Sequence, residues 1–131
     1  MTGRQALLLG TSLAASFLVW AQRSVAAEPG PLVRIAELQI DPAQLDAYKV
    51  ALKEEIEASI RDEPGVLALY AVSLKGHPEQ IRLFETYRDV AAYESHLQSP
   101  HFKTYKTRTQ QMVKLLKLLE TEPILLGSKS R

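Results

Sequence analysis

The sequence contains no cysteine, which excludes disulfides, thiolate metal centres, cysteine nucleophiles and a lipid-modified cysteine. Its single tryptophan is Trp20, so the chain beyond that residue has no indole at all. A bilayer-spanning run is missing too: the apolar stretch Ala6–Trp20 stops at about 15 residues, short of the roughly 20 that a helical span needs. There is also no excess of charge of one sign, with 16 basic against 15 acidic residues and a net of +1. No basic stripe or cluster suggests nucleic acid as a partner. Phosphate-binding glycine loops, a Ser-His-Asp signature and flavin or nicotinamide fingerprints are absent as well.

What is present begins with a leader. Arg4 precedes the apolar run, and the small residues Val25 and Ala27 then fit signal-peptidase cleavage before Glu28. Residues 1–27 are therefore read as a signal peptide and the protein as exported, periplasmic or secreted, with no stable membrane span after cleavage. An uncleaved anchor is the alternative, because Arg23 is an unusual charge so near the cleavage site. Arg4 and Arg23 are the leader's only charges, so the remainder carries 14 basic and 15 acidic residues. Residues 28–31 read as a linker, 32–126 as the domain and 127–131 as a flexible tail.

Within the domain, Leu32–Ile40 has strand-like alternation. Asp41-Pro42 then supplies a cap and a first-turn proline for a helix to about Arg61, with an apolar stripe of Leu45, Tyr48, Leu52, Ile56 and Ile60. Pro64-Gly65 ends it. Val66–Leu74 and Ile81–Tyr87 read as strands joined by the loop K-G-H-P-E-Q. Asp89 caps a short helix, Val90–Gln98, and Ser99-Pro100 repeats the cap-proline device to open a helix running to about Leu119. A last strand is expected at Pro123–Leu126. This order predicts an α+β fold, a ferredoxin-like split βαβ sandwich with an antiparallel four-stranded sheet and helices on one face. Both alternating sets of Val66–Leu74 are apolar, so the face away from the helices also needs cover, which predicts a homodimer packed sheet against sheet.

The stretch H-L-Q-S-P-H-F puts His96 at the end of one helix and His101 in the first turn of the next. Ligands on one helical face need a spacing of three or four, and Pro100 breaks the helix between these two, so no metal site is expected. Either imidazole could satisfy backbone groups at the helix junction, or offer a neutral ring at a pocket mouth to take a proton near neutral pH. Glu85 and Tyr87 share one side of their strand with Ile81 and Leu83, and Glu37 and Gln39 share a side with Val33 and Ile35. Polar groups on such faces cost free energy unless paired, so they either line a pocket or form rim pairs. The acidic run K-E-E-I-E reads as a solvated helix face, and Lys103, Lys106, Lys114 and Lys117 as the exposed side of the last helix.

Phe84–Tyr105, F-E-T-Y-R-D-V-A-A-Y-E-S-H-L-Q-S-P-H-F-K-T-Y, resembles the antibiotic biosynthesis monooxygenase (ABM) domain family, most of all its small quinol monooxygenase-like members. The matching positions are Glu85, Tyr87, His96, Leu97, Ser99, Pro100, His101 and Phe102. D-E-P-G-V-L upstream and the opening V-R-I-A-E-L-Q-I fit the same pattern. The resemblance implies a dimeric α+β barrel that oxidises a quinol or related phenol with O2, without flavin, haem, metal or any other cofactor. It assigns catalysis to His96, His101, Glu85 and Tyr87, and apolar wall to Phe102 and Tyr105; Glu37, from its place on the first strand, is a further candidate substrate contact. Many members have tryptophan where this chain has Tyr87. The positions matching the haem-degrading relatives' Asn, Trp and His are Leu38, Tyr87 and Lys106, which argues against haem degradation. A non-enzymatic dimeric module for an aromatic or apolar metabolite, and an isomerase of a small oxygenated metabolite, are the alternatives.

Overall fold

The computed structural model describes residues 30–130. The leader and most of the linker lie outside the described residues. Within them the order is β1 (Leu32–Ile40), a 3-10 turn (Pro42–Gln44), α1 (Leu45–Asp62), β2 (Val66–Leu74), β3 (His77–Tyr87), α2 (Val90–Gln98), α3 (Pro100–Thr109) and β4 (Val113–Glu120). No helix among these residues is long and apolar enough to cross a membrane.

The caps behave as their chemistry requires. Asp41 Oδ1 accepts from the Ala43 amide at 3.0 Å, and Asp89 Oδ1 from the Ala92 amide at 2.7 Å. At the junction of α2 and α3, Ser99 Oγ donates to the His96 carbonyl at 2.7 Å and accepts from the Phe102 amide at 3.3 Å. One hydroxyl thus closes one helix and opens the next. Pro100 stands in the first turn of α3, where its missing N–H costs nothing. Gly76, at φ 83°, makes the β2–β3 turn, so β3 starts at His77, earlier than the expected loop allowed. Gly65 is required by packing: a Cβ there would lie 2.5 Å from Ala92 Cβ on α2.

The sheet is antiparallel in the order β2-β3-β1-β4, with the helices over one face. Leu38 opposite Ile81 and Ala36 opposite Leu83 place those four side chains on the helix-covered face. There they join Ile40, Tyr48, Ala51, Leu52 and Tyr105 in the main core, while Val66, Tyr87 and Ala92 form a smaller one under α2. The sandwich expectation agrees with this, but the barrel expectation requires correction. Strand β2 pairs only with β3 and β4 only with β1, so the sheet is open at both edges and does not close. Four strands are too few to enclose a side-chain-filled interior, which takes about eight.

Three further expectations change. Helix α3 stops at Thr109, and the segment expected to continue it is β4. The spacing of Met112, Leu116 and Leu119 fits a helix, but V-K-L-L-K-L-L is also a strand-competent run, and the unfilled edge of β1 offers it a ladder from Arg34 to Ile40. The slot beside β1 is then taken, and Pro123–Leu126 forms no strand. Lys114 and Lys117 consequently lie on a strand. On α1 the buried side is Tyr48, Ala51, Leu52, Glu55 and Ser59, whereas Ile60 is half exposed. That rotation carries a carboxylate into the interior.

Candidate active site

The end of α1 and the α2–α3 junction meet around one carboxylate. Glu63, the residue after α1, is held extended by the proline that follows. Its Oε2 lies 2.8 Å from His96 Nδ1 and 2.7 Å from His101 Nε2. Burial works against ionisation of Glu63, but the hydrogen bonds from the two imidazoles outweigh it and hold the carboxyl below the ordinary carboxylate value. An ionised carboxylate only accepts, so both ring nitrogens donate. In the neutral ring this fixes His96 as the Nδ1–H tautomer and leaves the lone pair on Nε2.

His96 is 3% exposed, and its Nε2 faces Glu55 Oε1 at 3.5 Å. Glu55 accepts a 2.7 Å hydrogen bond from Ser59 Oγ, one helical turn on. Its carboxyl is raised, first by burial, which that hydrogen bond and the two histidines only partly offset. On β3, Tyr87 donates its phenolic proton to Glu85 Oε2 at 3.0 Å. Burial likewise raises Glu85, against the opposing pull of Tyr87, His96 and Arg34. Both Tyr48 and Tyr87 are pushed up, chiefly by burial, and Tyr105 to about 12 for the same first reason. All three phenols therefore remain protonated donors. Tyr48 and Tyr105 share a 2.7 Å hydrogen bond.

A cavity of about 530 Å³ opens between the helix-covered sheet face and α2–α3, toward β4. Its walls include Leu38, Leu83, Tyr93, Phe102, Tyr105, Leu116 and Leu118, and Glu85, Tyr87 and His96 project among them. The rings are packed together, with Phe102 4.8 Å and Tyr87 5.4 Å from the imidazole by centroid and Tyr93 5.2 Å from Tyr87. A depression of similar volume between α1 and β2 is more open and is edged by Lys49 and by the solvent-exposed i,i+4 ion pair Lys53–Glu57. Apolar enclosure with a few convergent polar groups favours the first as the ligand site.

Of the residues expected at a site, Glu85, Tyr87, His96, Phe102 and Tyr105 surround this cavity. His101 does not line it; it stands behind Glu63 and borders shallow surface depressions. Glu37 points to the other face of the sheet, 3.8 Å from Arg82 Nε. The spacing argument separated the two histidines, yet the break at Ser99-Pro100 turns α3 back so that both rings reach Glu63. Glu55 and Glu63 were not anticipated. For Glu55 a signal existed, since Tyr48, Leu52, Glu55 and Ser59 follow spacings of four, three and four. Glu63 stood in the D-E-P-G-V-L stretch that carried the family resemblance, but with no site role attached to it.

Residues 31–108 match the family model described as antibiotic biosynthesis monooxygenase. A crystal structure named for that family, from Bacteroides thetaiotaomicron, is 47% identical over 78% of this chain and 97% of its own, with a TM-score of 0.74. A monooxygenase-named structure from Lactobacillus acidophilus is 26% identical over 70% of this chain and 44% of its own, with a TM-score of 0.67. One from Nitrosomonas europaea, 20% identical over 74% of this chain and 93% of its own at a TM-score of 0.69, shares the fold. No curated protein matches the sequence.

Proposed function

The chain belongs to the antibiotic biosynthesis monooxygenase family, and we propose that it oxidises a quinol or related phenol with O2, using no bound redox cofactor. The observation that carries this reading is the aromatic cavity into which Glu85, Tyr87 and His96 project. Its volume of about 530 Å³ suits a one- to three-ring substrate, within the roughly 300–1,000 Å³ usual for small-molecule sites. A phenol is a poor electron donor to O2 until ionised. Proton removal raises the electron density of the ring, and a dry site keeps the resulting charge from being quenched by water.

His96, held by Glu63 as the Nδ1–H tautomer, takes the phenolic proton at Nε2. Tyr87, its proton donated to Glu85, has only an oxygen lone pair to offer the substrate hydroxyl and packs beside the His96 ring in the cavity wall. Phe102 and Tyr105 form the wall against the ring. The phenolate passes one electron to O2, and the superoxide and phenoxyl radical so formed combine in a new C–O bond. The ring hydrogen at that carbon then leaves as the O–O bond breaks, and the proton held on His96 goes to the departing oxygen. In sum the ring loses two hydrogens, one oxygen atom becomes a carbonyl and the other leaves as water. All four electrons come from the substrate, so no external reductant is required.

The test is O2 uptake by the full chain with a panel of reduced quinones and polycyclic phenols. The expected result is uptake that depends on enzyme concentration and falls away in the His96→Ala/His101→Ala double variant. Rates indistinguishable between the two proteins across the panel would contradict the proposal.

A homodimer is part of the same proposal. The sheet face away from the helices leaves Tyr70, Val72, Phe84 and Leu115 exposed, a broad apolar surface for which a second copy supplies cover. Sedimentation at micromolar concentration is expected to give twice the chain mass, and a stable monomer would contradict it.

A further inference from the structure

We infer that Glu55, His96 and His101 form a site for a divalent transition-metal ion, with Glu63 as the outer carboxylate that holds the imidazoles. Each of the three helices contributes one ligand: Glu55 from α1, His96 from α2 and His101 from α3. One ligand atom from each residue lies within 4.8 Å of the other two. The pair His96 Nε2 and Glu55 Oε1, at 3.5 Å, is at the limit of a hydrogen bond. It is close to the separation of about 3.3 Å between ligands on a tetrahedral ion with bonds of about 2.0–2.1 Å.

Tautomer and burial point the same way. Metal-binding imidazoles usually give their other N–H to a carboxylate, and His96 gives Nδ1–H to Glu63 while Nε2 keeps its lone pair toward Glu55. Glu55 is 6% exposed, and its hydrogen-bond donor is the neutral hydroxyl of Ser59. A cation would compensate that buried carboxylate. A void of about 20 Å³, bounded by Glu55, Glu85, His96, Phe102 and Tyr105, adjoins the cluster and has room for one water-sized ligand. Two imidazole nitrogens and a carboxylate oxygen suit zinc, cobalt, manganese or ferrous iron. They do not suit magnesium or calcium, which favour all-oxygen sets, or copper(I), which favours sulfur.

The site goes beyond the oxidation proposed above. With an ion on Nε2, His96 has no lone pair for a substrate proton, so the metal-bound and oxidising forms are alternatives and the ion acts as an inhibitor. Binding itself does not require that the oxidation reading be correct.

The experiment titrates the full chain with Zn2+ by calorimetry and with Co2+ by visible absorption. Expected are one ion per chain and cobalt bands of a nitrogen-oxygen set, both lost in Glu55→Gln and in His101→Gln. Glu63→Gln is expected to weaken binding by about 10–100-fold, the usual effect of losing an outer carboxylate. In the unaltered protein, Co2+ should shift the ring protons of His96 and His101 and spare His77. No binding at millimolar metal would overturn the inference. Binding unchanged by Glu55→Gln and His101→Gln, or cobalt shifts confined to His77, would overturn it as well.

Discussion

Glu63→Ala is expected to destabilise the protein by about 2–4 kcal/mol at neutral pH, the cost of stranding buried donors. The substitution removes the one oxygen that accepts from both His96 Nδ1 and His101 Nε2. His96 is almost wholly buried, so its N–H finds no water in exchange, whereas His101 is open enough to recover part of the loss. For a domain of this size the expected fall in Tm is roughly 10–25 °C. Glu63→Gln keeps a carbonyl oxygen in place and should cost about 1 kcal/mol. The pH dependence follows from the depressed carboxyl. A carboxyl whose folded value lies below its ordinary 4.5 contributes stability that is fully present above 4.5 and is lost as pH falls through the depressed value. The gap between the parent protein and Glu63→Gln should therefore be constant from neutral pH down to about 5 and then narrow with further acidification. Thermal melts across that range check it, and equal melting of Glu63→Ala and parent at pH 7 would contradict the bridging role.

His96→Ala is expected to lower kcat/KM for O2-dependent phenol oxidation by about 100- to 10,000-fold, the range for removing a positioned general base. The same change deletes a ring packed between Tyr87 and Phe102, so a loss of rate alone could be a packing defect. Rescue separates the two. Added imidazole, entering the vacated space, should restore turnover with a pH dependence that tracks the pKa of the added base. His101→Gln should keep most of the activity, because His101 stands behind Glu63 and off the cavity wall. A larger loss in His101→Gln than in His96→Ala would reverse the assignment of the two rings.

Much of the fold was written in local chemistry. Asp41-Pro42, Asp89 and Ser99-Pro100 are self-contained signals, and β1, β2 and α2 begin and end where those signals and the alternation put them. The failures are non-local. Val113–Glu120 reads equally as a helical stripe or as a strand, and only the vacant edge of β1 decides. The sheet edges that keep the barrel from closing are a property of four strands taken together.

The site divides the same way. Glu85, Tyr87, His96, Phe102 and Tyr105 lie on elements whose periodicity was readable, and they meet at the cavity. Glu37 alternates correctly on β1 but on the sheet's other face, because the parity of a strand says which residues share a side and not which side the helices cover. Glu55 was hidden in an acidic run whose other members are solvated, and its role emerges only once α1 turns Tyr48, Leu52 and Ser59 inward. Glu63 serves residues 33 and 38 positions away, a partnership no local pattern encodes.

The most direct measurement is turnover of a phenolic substrate under 18O2 with mass analysis of the product. Oxidation at the cavity by the route described puts a single labelled oxygen into each product molecule and the other into water, and it stops when O2 is withdrawn. Product free of label, or turnover that continues without O2, would contradict it.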